Sequence, residues 1–247
     1  MKTQLQLEQI QEALARRKHH TDVLIDLCSY EYIIESDYDS KLFEYVPIKI
    51  VASFEEYFRG KYKEIIEYNF THFIPAVRFD SALFLYQMAL IRQPQNILEI
   101  GFGSGVSTYF IYKPLVSMKS FFTLEKDESR CLRGFDVLKA FEMENVTLLK
   151  EDAFVFLQEY RNKSLPKFDY VFLDAGKKDY LSYLPIINEL MAPGGFLICD
   201  NTFFNGKVVL ENEHLTKSYA KSVPLLKEFN VELGKSELYN TSYFWIG

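Results

Sequence analysis

Between Asn96 and Asp200 the chain carries five short apolar runs: "NILEI", "SFFTLE", "VTLLK", "YVFLD" and "GGFLICD". Stretches of helical length separate most of them. Runs this short and continuous suit strands buried on both faces of a parallel sheet, because a half-exposed strand alternates apolar with polar residues. Parallel neighbours need a crossover of about a dozen residues or more, usually a helix. "ESRCLRGFDVLKAFEME" is one such crossover, with Cys131, Leu132, Phe135, Leu138 and Phe141 expected on its inward face. The tail "ELYNTSYFWIG" alternates less cleanly and is a candidate closing antiparallel strand. The pattern predicts an α/β fold with a doubly wound, mostly parallel sheet.

Three of the runs end in an acid: Glu125, Asp174 and Asp200. Ligands of open α/β sheets sit outside the carboxyl ends of the strands, so these acids share one rim. The first run leads into Gly101, Gly103 and Gly105, a G-x-G-x-G turn. A dinucleotide fingerprint needs G-x-G-x-x-G, and position 106 is Val; the Gly-Lys-Ser/Thr of a phosphate-binding loop is absent. Glu99, just inside the strand end, is unwelcoming to phosphate and suits an ammonium group or a hydroxyl. Glu125 ends the next strand, where a carboxylate can accept both hydroxyls of a ribose. An adenosine with a positively charged amino-acid tail satisfies both acids, and S-adenosylmethionine is such a molecule. The glycines alone would also suit a tight strand-to-helix connection with no ligand; the two acids favour the cofactor.

Length and charge set the frame. The 247 residues suit one large α/β domain, or one domain with an appendage. A net charge of −6 argues against a broad nucleic-acid face. No 18-residue apolar run and no apolar signal-peptide core are present. Cys28, Cys131 and Cys199 are far apart and odd in number, so no disulfide framework or zinc spacing is visible. The chain reads as soluble and cytoplasmic, with no membrane partner. Residues 1–74 differ in texture. Leu7, Ile10 and Leu14 share a helical face. "SFEEYFRGKYKEIIEYNF" opens with Ser53 and Glu56 at capping-box spacing and carries Phe54, Phe58, Tyr62 and Ile65 as a stripe. "RRKHH" at 16–20 reads as a solvated helix end, and the adjacent His19 and His20 point apart. His72 and His214 have no assigned role, and Cys199 reads as core.

Four blocks, "ILEIGFGSGVST", "FFTLEKDE", "FDYVFLDAGKKDYLSYLPIINELMAPGGFLICDN" and "DNTFFNGKV", carry a family likeness. From about Ile74 to the C-terminus the sequence resembles the cation-dependent class I O-methyltransferases, the caffeoyl-CoA and catechol O-methyltransferase group with its bacterial relatives. The most specific match is D-A-x-K-x-x-Y followed by P-G-G and D-N, present as Asp174, Ala175, Lys177, Tyr180, Pro193, Gly194, Gly195, Asp200 and Asn201. The resemblance implies a seven-stranded Rossmann-like methyltransferase domain over 75–247, with 1–74 as a helical extension that covers the substrate or forms a homodimer surface. It implies that Val77, Glu99, Gly101, Phe102, Gly103, Ser107, Glu125, Asp152, Ala153 and Asp174 bind the cofactor. Asp174, Asp200 and Asn201 would be divalent-metal ligands, Lys177 the general base acting beside Asp174, and Asn205 a substrate-side residue. Two positions depart from the pattern. Gly176 stands where members often carry a cofactor-touching Asp, and Phe204 where a Trp is common.

The residues give this reading its chemistry. Two carboxylates and an amide oxygen suit Mg2+ foremost, with Ca2+ or Mn2+ as alternatives, since zinc or copper prefer His or Cys. A hydroxylated, catechol-like small molecule could chelate at the open positions and lose a proton more easily, with the lysine receiving it. Taken singly, Asp174 and Asp200 would also fit as turn or helix caps, Asn201 as a turn residue and Lys178 as a solvated charge. Two other functions are compatible with the sequence. One is methylation of hydroxylated uridine in tRNA, favoured weakly by "RRKHH". The other is a non-catalytic cofactor-binding role, motivated by Gly176.

Overall fold

The computed structural model describes residues 48–69 (48–55 as backbone), 74–211, 215–217, 219–244 and 246. The expectations for Leu7, Ile10, Leu14, Cys28, the 16–20 run, His72 and His214 lie outside the described residues. The elements in order are α1 (Ile48–Asn69), α2 (Phe79–Arg92), β1 (Asn96–Ile100), α3 (Val106–Tyr112), β2 (Ser120–Glu125), α4 (Glu128–Ala140), β3 (Thr147–Lys150), α5 (Ala153–Asn162), β4 (Phe168–Leu173), α6 (Tyr180–Leu190), β5 (Met191–Cys199) and α7 (Ser222–Lys235). Among the described residues the chain divides into two compact units. One is 48–64 with Arg78–Asp80; the other is the rest. Within the first, Tyr62 meets Phe79 edge-on at 5.5 Å and the Arg59 guanidinium lies 4.7 Å over the same ring. α1 begins at Ile48, so Ser53 lies inside the helix and not at its cap. Nothing in the upstream "IKIVA" breaks a helix, and the extra turn forms there.

The second unit holds the sheet. Its five strands are all parallel, in the order β3-β2-β1-β4-β5. Each of the five apolar runs is a strand, and the α/β doubly wound fold is the one observed. β1 steps outward to β2 and β3, while β4 and β5 lie on its other side. Order therefore reverses between β1 and β4, and a crevice opens beyond their carboxyl ends. β4 is buried along its whole length. Tyr180, Ile187, Leu226 and Phe229 pack with the strand residues Leu98, Val171 and Leu173 in one core cluster. Asp169 ties the start of β1 to β4 by accepting from the amides of Gln95 and Asn96 at 2.9–3.0 Å.

Two expectations need correction. The tail forms no strand over 237–244. Its side chains bond instead to helices: the Thr241 hydroxyl donates to the Leu233 carbonyl at 3.0 Å, and the Tyr243 hydroxyl to the Asn230 carbonyl at 2.9 Å. In α4, Leu132 and Phe135 face outward, with 63% and 50% exposure, and the buried residues are Cys131, Gly134, Val137 and Leu138. Gly134 sets this rotation. A Cβ there would press on the Leu148 side chain and lie 2.8 Å from the Phe102 ring, so the helix approaches the sheet on its bare side.

Gly134→Val is accordingly expected to destabilise the fold by about 1–3 kcal/mol through overpacking. Gly60→Ala, in a helix interior with nothing within 4 Å of the new methyl, should stabilise it by about 0.5–1 kcal/mol. Urea unfolding midpoints of both variants check this pair; equal midpoints for Gly134→Val and wild type would mean that α4 can back away.

Candidate active site

A cavity of about 270 Å³ lies at the switch point of the second unit. Its wall includes Val77, Gly101, Phe102, Gly103, Ser107, Glu125, Asp152, Ala153 and Asp174. The glycine turn builds one side. The amides of Gly101 and Phe102 both donate to the Leu124 carbonyl at 3.0 Å, which draws the chain leaving β1 across the end of β2. Gly101 has φ +105°, and a Cβ on it would collide with the Asp174 carbonyl oxygen. Only glycine permits both the backbone angle and the close passage of β4.

Each acid at the rim is held differently. Glu125 accepts from the Asp127 amide at 2.9 Å and the Gly103 amide at 3.3 Å, so its carboxylate is fixed at the cavity wall. Asp152 caps α5, accepting from the amides of Phe154 and Val155 at 2.9 and 3.4 Å. Glu99 is fully buried and does not border the cavity. It lies behind Ser107, accepting from the hydroxyls of Ser107 at 2.6 Å, Thr108 at 2.5 Å and Thr123 at 2.6 Å. Burial pushes its carboxyl up to about 7, with the three hydroxyls pulling down against that and the Asp174 charge adding to it.

Beyond the cavity, the ends of β4 and β5 bring three charged groups together. The Lys177 ammonium lies 3.0 Å from Asp174 Oδ1 and 3.9 Å from Asp200 Oδ2. It also donates to Tyr180 Oη at 2.6 Å and sits over that ring at 4.7 Å. Tyr180 in turn donates to the Leu173 carbonyl at 2.8 Å. Lys177 is thereby tied to the last residue of β4. Asn201, Phe204, Asn205 and Gly206 all have positive φ, 47–77°, so the chain leaving β5 folds into a tight left-handed run. Backbone of this kind concentrates at functional loops. Lys177, Asp200, Asn201 and Asn205 lie outside the cavity wall. Among the described residues no three His, Cys, Asp or Glu side chains form a group that could hold a metal. Asp174 and Asp200 both approach Lys177, and Asn201, the third expected ligand, follows Asp200 in the chain. That donor set, all oxygen, fits a hard divalent cation. In β5, the Cys199 thiol is pushed up to about 12 by burial, as suits a packing residue.

A family model described as O-methyltransferase matches residues 59–247. The chain belongs to the O-methyltransferase family. Its curated relatives include the tapetum-specific methyltransferase 1 of Arabidopsis thaliana, 24% identical over 69% of this chain and 74% of that one. Another is a catechol O-methyltransferase of Niastella koreensis, 30% identical over 61% of this chain and 66% of that one. Among solved structures, an O-methyltransferase from Bacillus cereus in complex with SAH superposes with a TM-score of 0.64 at 25% identity, covering 72% of this chain and 80% of that one. The family expected from the sequence blocks is the one found.

This O-methyltransferase has cavity residues that the sequence did not single out: Arg130, Glu151, Asp179 and Tyr183. Asp179 carried a signal, an acid directly before an apolar helical stretch. Gly176 lines the wall as well, and the Asp179 carboxylate occupies the space its side chain would take, with Oδ2 2.9 Å from a built Cβ.

Glu99 yields a pH prediction. Its folded-state pKa, about 7, lies above the ordinary 4.5, so between those values the native state holds the extra proton. The contribution of Glu99 is fully present below about 4.5 and is lost as pH rises through about 7. The stability of this O-methyltransferase relative to Glu99→Gln should fall across that window, by up to about 3 kcal/mol. Urea unfolding of both proteins from pH 4.5 to 8 measures the difference; a flat line would mean that Glu99 stays ionised throughout.

Proposed function

We propose that this S-adenosylmethionine-dependent O-methyltransferase methylates one hydroxyl of a small, catechol-like acceptor held beside a hard divalent cation, Mg2+ foremost. The observation that carries the proposal is the convergence of Asp174, Lys177 and Asp200 at the strand ends next to the cavity. The acceptor class is supported by the catechol O-methyltransferase relative. When bound, the cofactor supplies an electrophilic methyl on sulfur. When bound, the cation supplies positive charge against which an acceptor hydroxyl gives up its proton more readily.

The chain's own residues have distinct tasks. Glu125 accepts the ribose hydroxyls, and the amides that fix it keep that acceptor in place. Asp174, on the cavity wall, faces the cofactor's reactive end and the acceptor together. Asp174, Asp200 and Asn201 would hold the cation. Lys177, as the free amine after giving up one proton to solvent, takes the acceptor's proton at Nζ, an atom positioned by Tyr180 and Asp174. Holding donor and acceptor at attack distance supplies much of the rate. We assign to Asn205 a place on the acceptor's side.

Labelled cofactor, magnesium and a panel of catechols should give methyl transfer that EDTA abolishes and added magnesium restores. Transfer indifferent to chelation would remove the cation from the mechanism. Lys177→Ala should lower kcat by about 10²-fold or more, while calorimetry shows S-adenosylhomocysteine binding within about twofold of wild type. A variant that keeps full kcat would assign the proton to another group.

A further inference from the structure

Three acids stand at helix N-cap positions around the cavity. Asp127 and Asp152 have extended backbones, and their carboxylates accept from the first amides of α4 and α5. Asp179 stands in the same place before α6 with φ −97° and ψ −15°, and its carboxylate caps nothing. Among the described acids that line the cavity, Asp179 alone has a carboxylate that accepts no hydrogen bond and joins no ion pair. Its carboxylate turns toward the bare wall at Gly176. An acceptor-only group left uncommitted on a cavity wall is matched by a donor on the ligand.

The donor follows from the order of the strands. The reacting end of the ligand belongs at the ends of β1 and β4, beside Asp174 and Lys177. Glu125 marks the end of β2, and Asp152 follows β3, so an elongated ligand lying along the rim ends near Asp152. α6 reaches that end because the Phe154 and Tyr183 rings meet at 6.5 Å and 31°. Burial, then the nearby charges of Asp179 and Asp152, push the Tyr183 hydroxyl up to about 12. With the reacting end at β4, the base of an adenosine cofactor would fall in this corner.

Resting on the function proposed above, we infer that Asp179 accepts from the exocyclic amine of the cofactor's adenine and sets the preference for adenosine over its 6-keto counterpart. A keto oxygen in that place would set lone pairs against a carboxylate. Sites built around one hydrogen bond discriminate strongly against analogues that lack it.

The test is calorimetry with S-adenosylhomocysteine and S-inosylhomocysteine on wild type, Asp179→Asn and the pair Gly176→Asp/Asp179→Gly. Wild type should bind the adenosyl compound at least about tenfold more tightly. Asp179→Asn, nearly isosteric, should raise the KM for S-adenosylmethionine by about tenfold and erase the preference, while kcat at saturating cofactor stays within about twofold. The double variant, which returns a carboxylate to the same wall from position 176, should restore the preference. An unchanged adenosyl-to-inosyl ratio in Asp179→Asn overturns the inference alone. Failure of wild type to bind S-adenosylhomocysteine overturns the functional proposal and this inference with it.

Discussion

The site depends on how closely two backbones pass. β1 and β4 are neighbours, and the Asp174 amide still donates to the Ile100 carbonyl at 2.9 Å after both strands have ended. Gly101 can follow only because it has no Cβ to meet the Asp174 carbonyl. From there the chains part, one rising into the glycine turn and the other into the Lys177 loop. The crevice is the gap left by that divergence. Any side chain at 101 would push Asp174 outward, and Lys177 is bonded to Asp174. Cavity shape and the placing of the Asp174–Lys177 pair are therefore set by one close backbone approach.

Acids surround this gap in a chain that is already acidic, and the fold compensates four of them in different ways. Glu99 receives three hydroxyl donors and Glu125 two backbone amides. Asp152 receives the first amides of a helix, and Asp174 a lysine. Hydroxyls compensate a charge less than an ammonium does, which is why burial dominates at Glu99. The sequence placed Glu99 against a cationic tail. In the structure its direct partners are Ser107, Thr108 and Thr123, with Ser107 forming the wall in front of it. The hydroxyl alternative was present in the sequence, because Ser107 and Thr108 begin the helix that follows the turn.

What was legible followed from periodicity and position. Five continuous apolar runs could only be buried parallel strands, and acids at their ends shared a rim by topology alone. The turn was legible because three glycines within five residues mark backbone that other residues adopt only at a cost. The rotation of α4 was not, since a helix face is normally read from large apolar residues, and here Gly134 decides it by letting the sheet come near. The tail was misread because Tyr239, Thr241 and Tyr243 look strand-forming, while their hydroxyls serve as anchors to Asn188, Leu233 and Asn230. Asp179 was hidden by its ordinary appearance as a cap. Only its backbone angles separate it from Asp127 and Asp152.

The charged group at the strand ends is uneven. Two carboxylates face one ammonium in a partly enclosed place, with Lys177 only 11% exposed. A lysine held by Tyr180 from beneath cannot move to serve both acids equally, and it lies 0.9 Å nearer to Asp174 than to Asp200. On the proposed function, a divalent cation held by Asp174, Asp200 and Asn201 would add the positive charge against which an ionised phenolic oxygen is held. The asymmetry of Lys177 between the two aspartates therefore suits the proposed site, in which the lysine takes the acceptor's proton from beside Asp174 while Asp174, Asp200 and Asn201 would hold the cation.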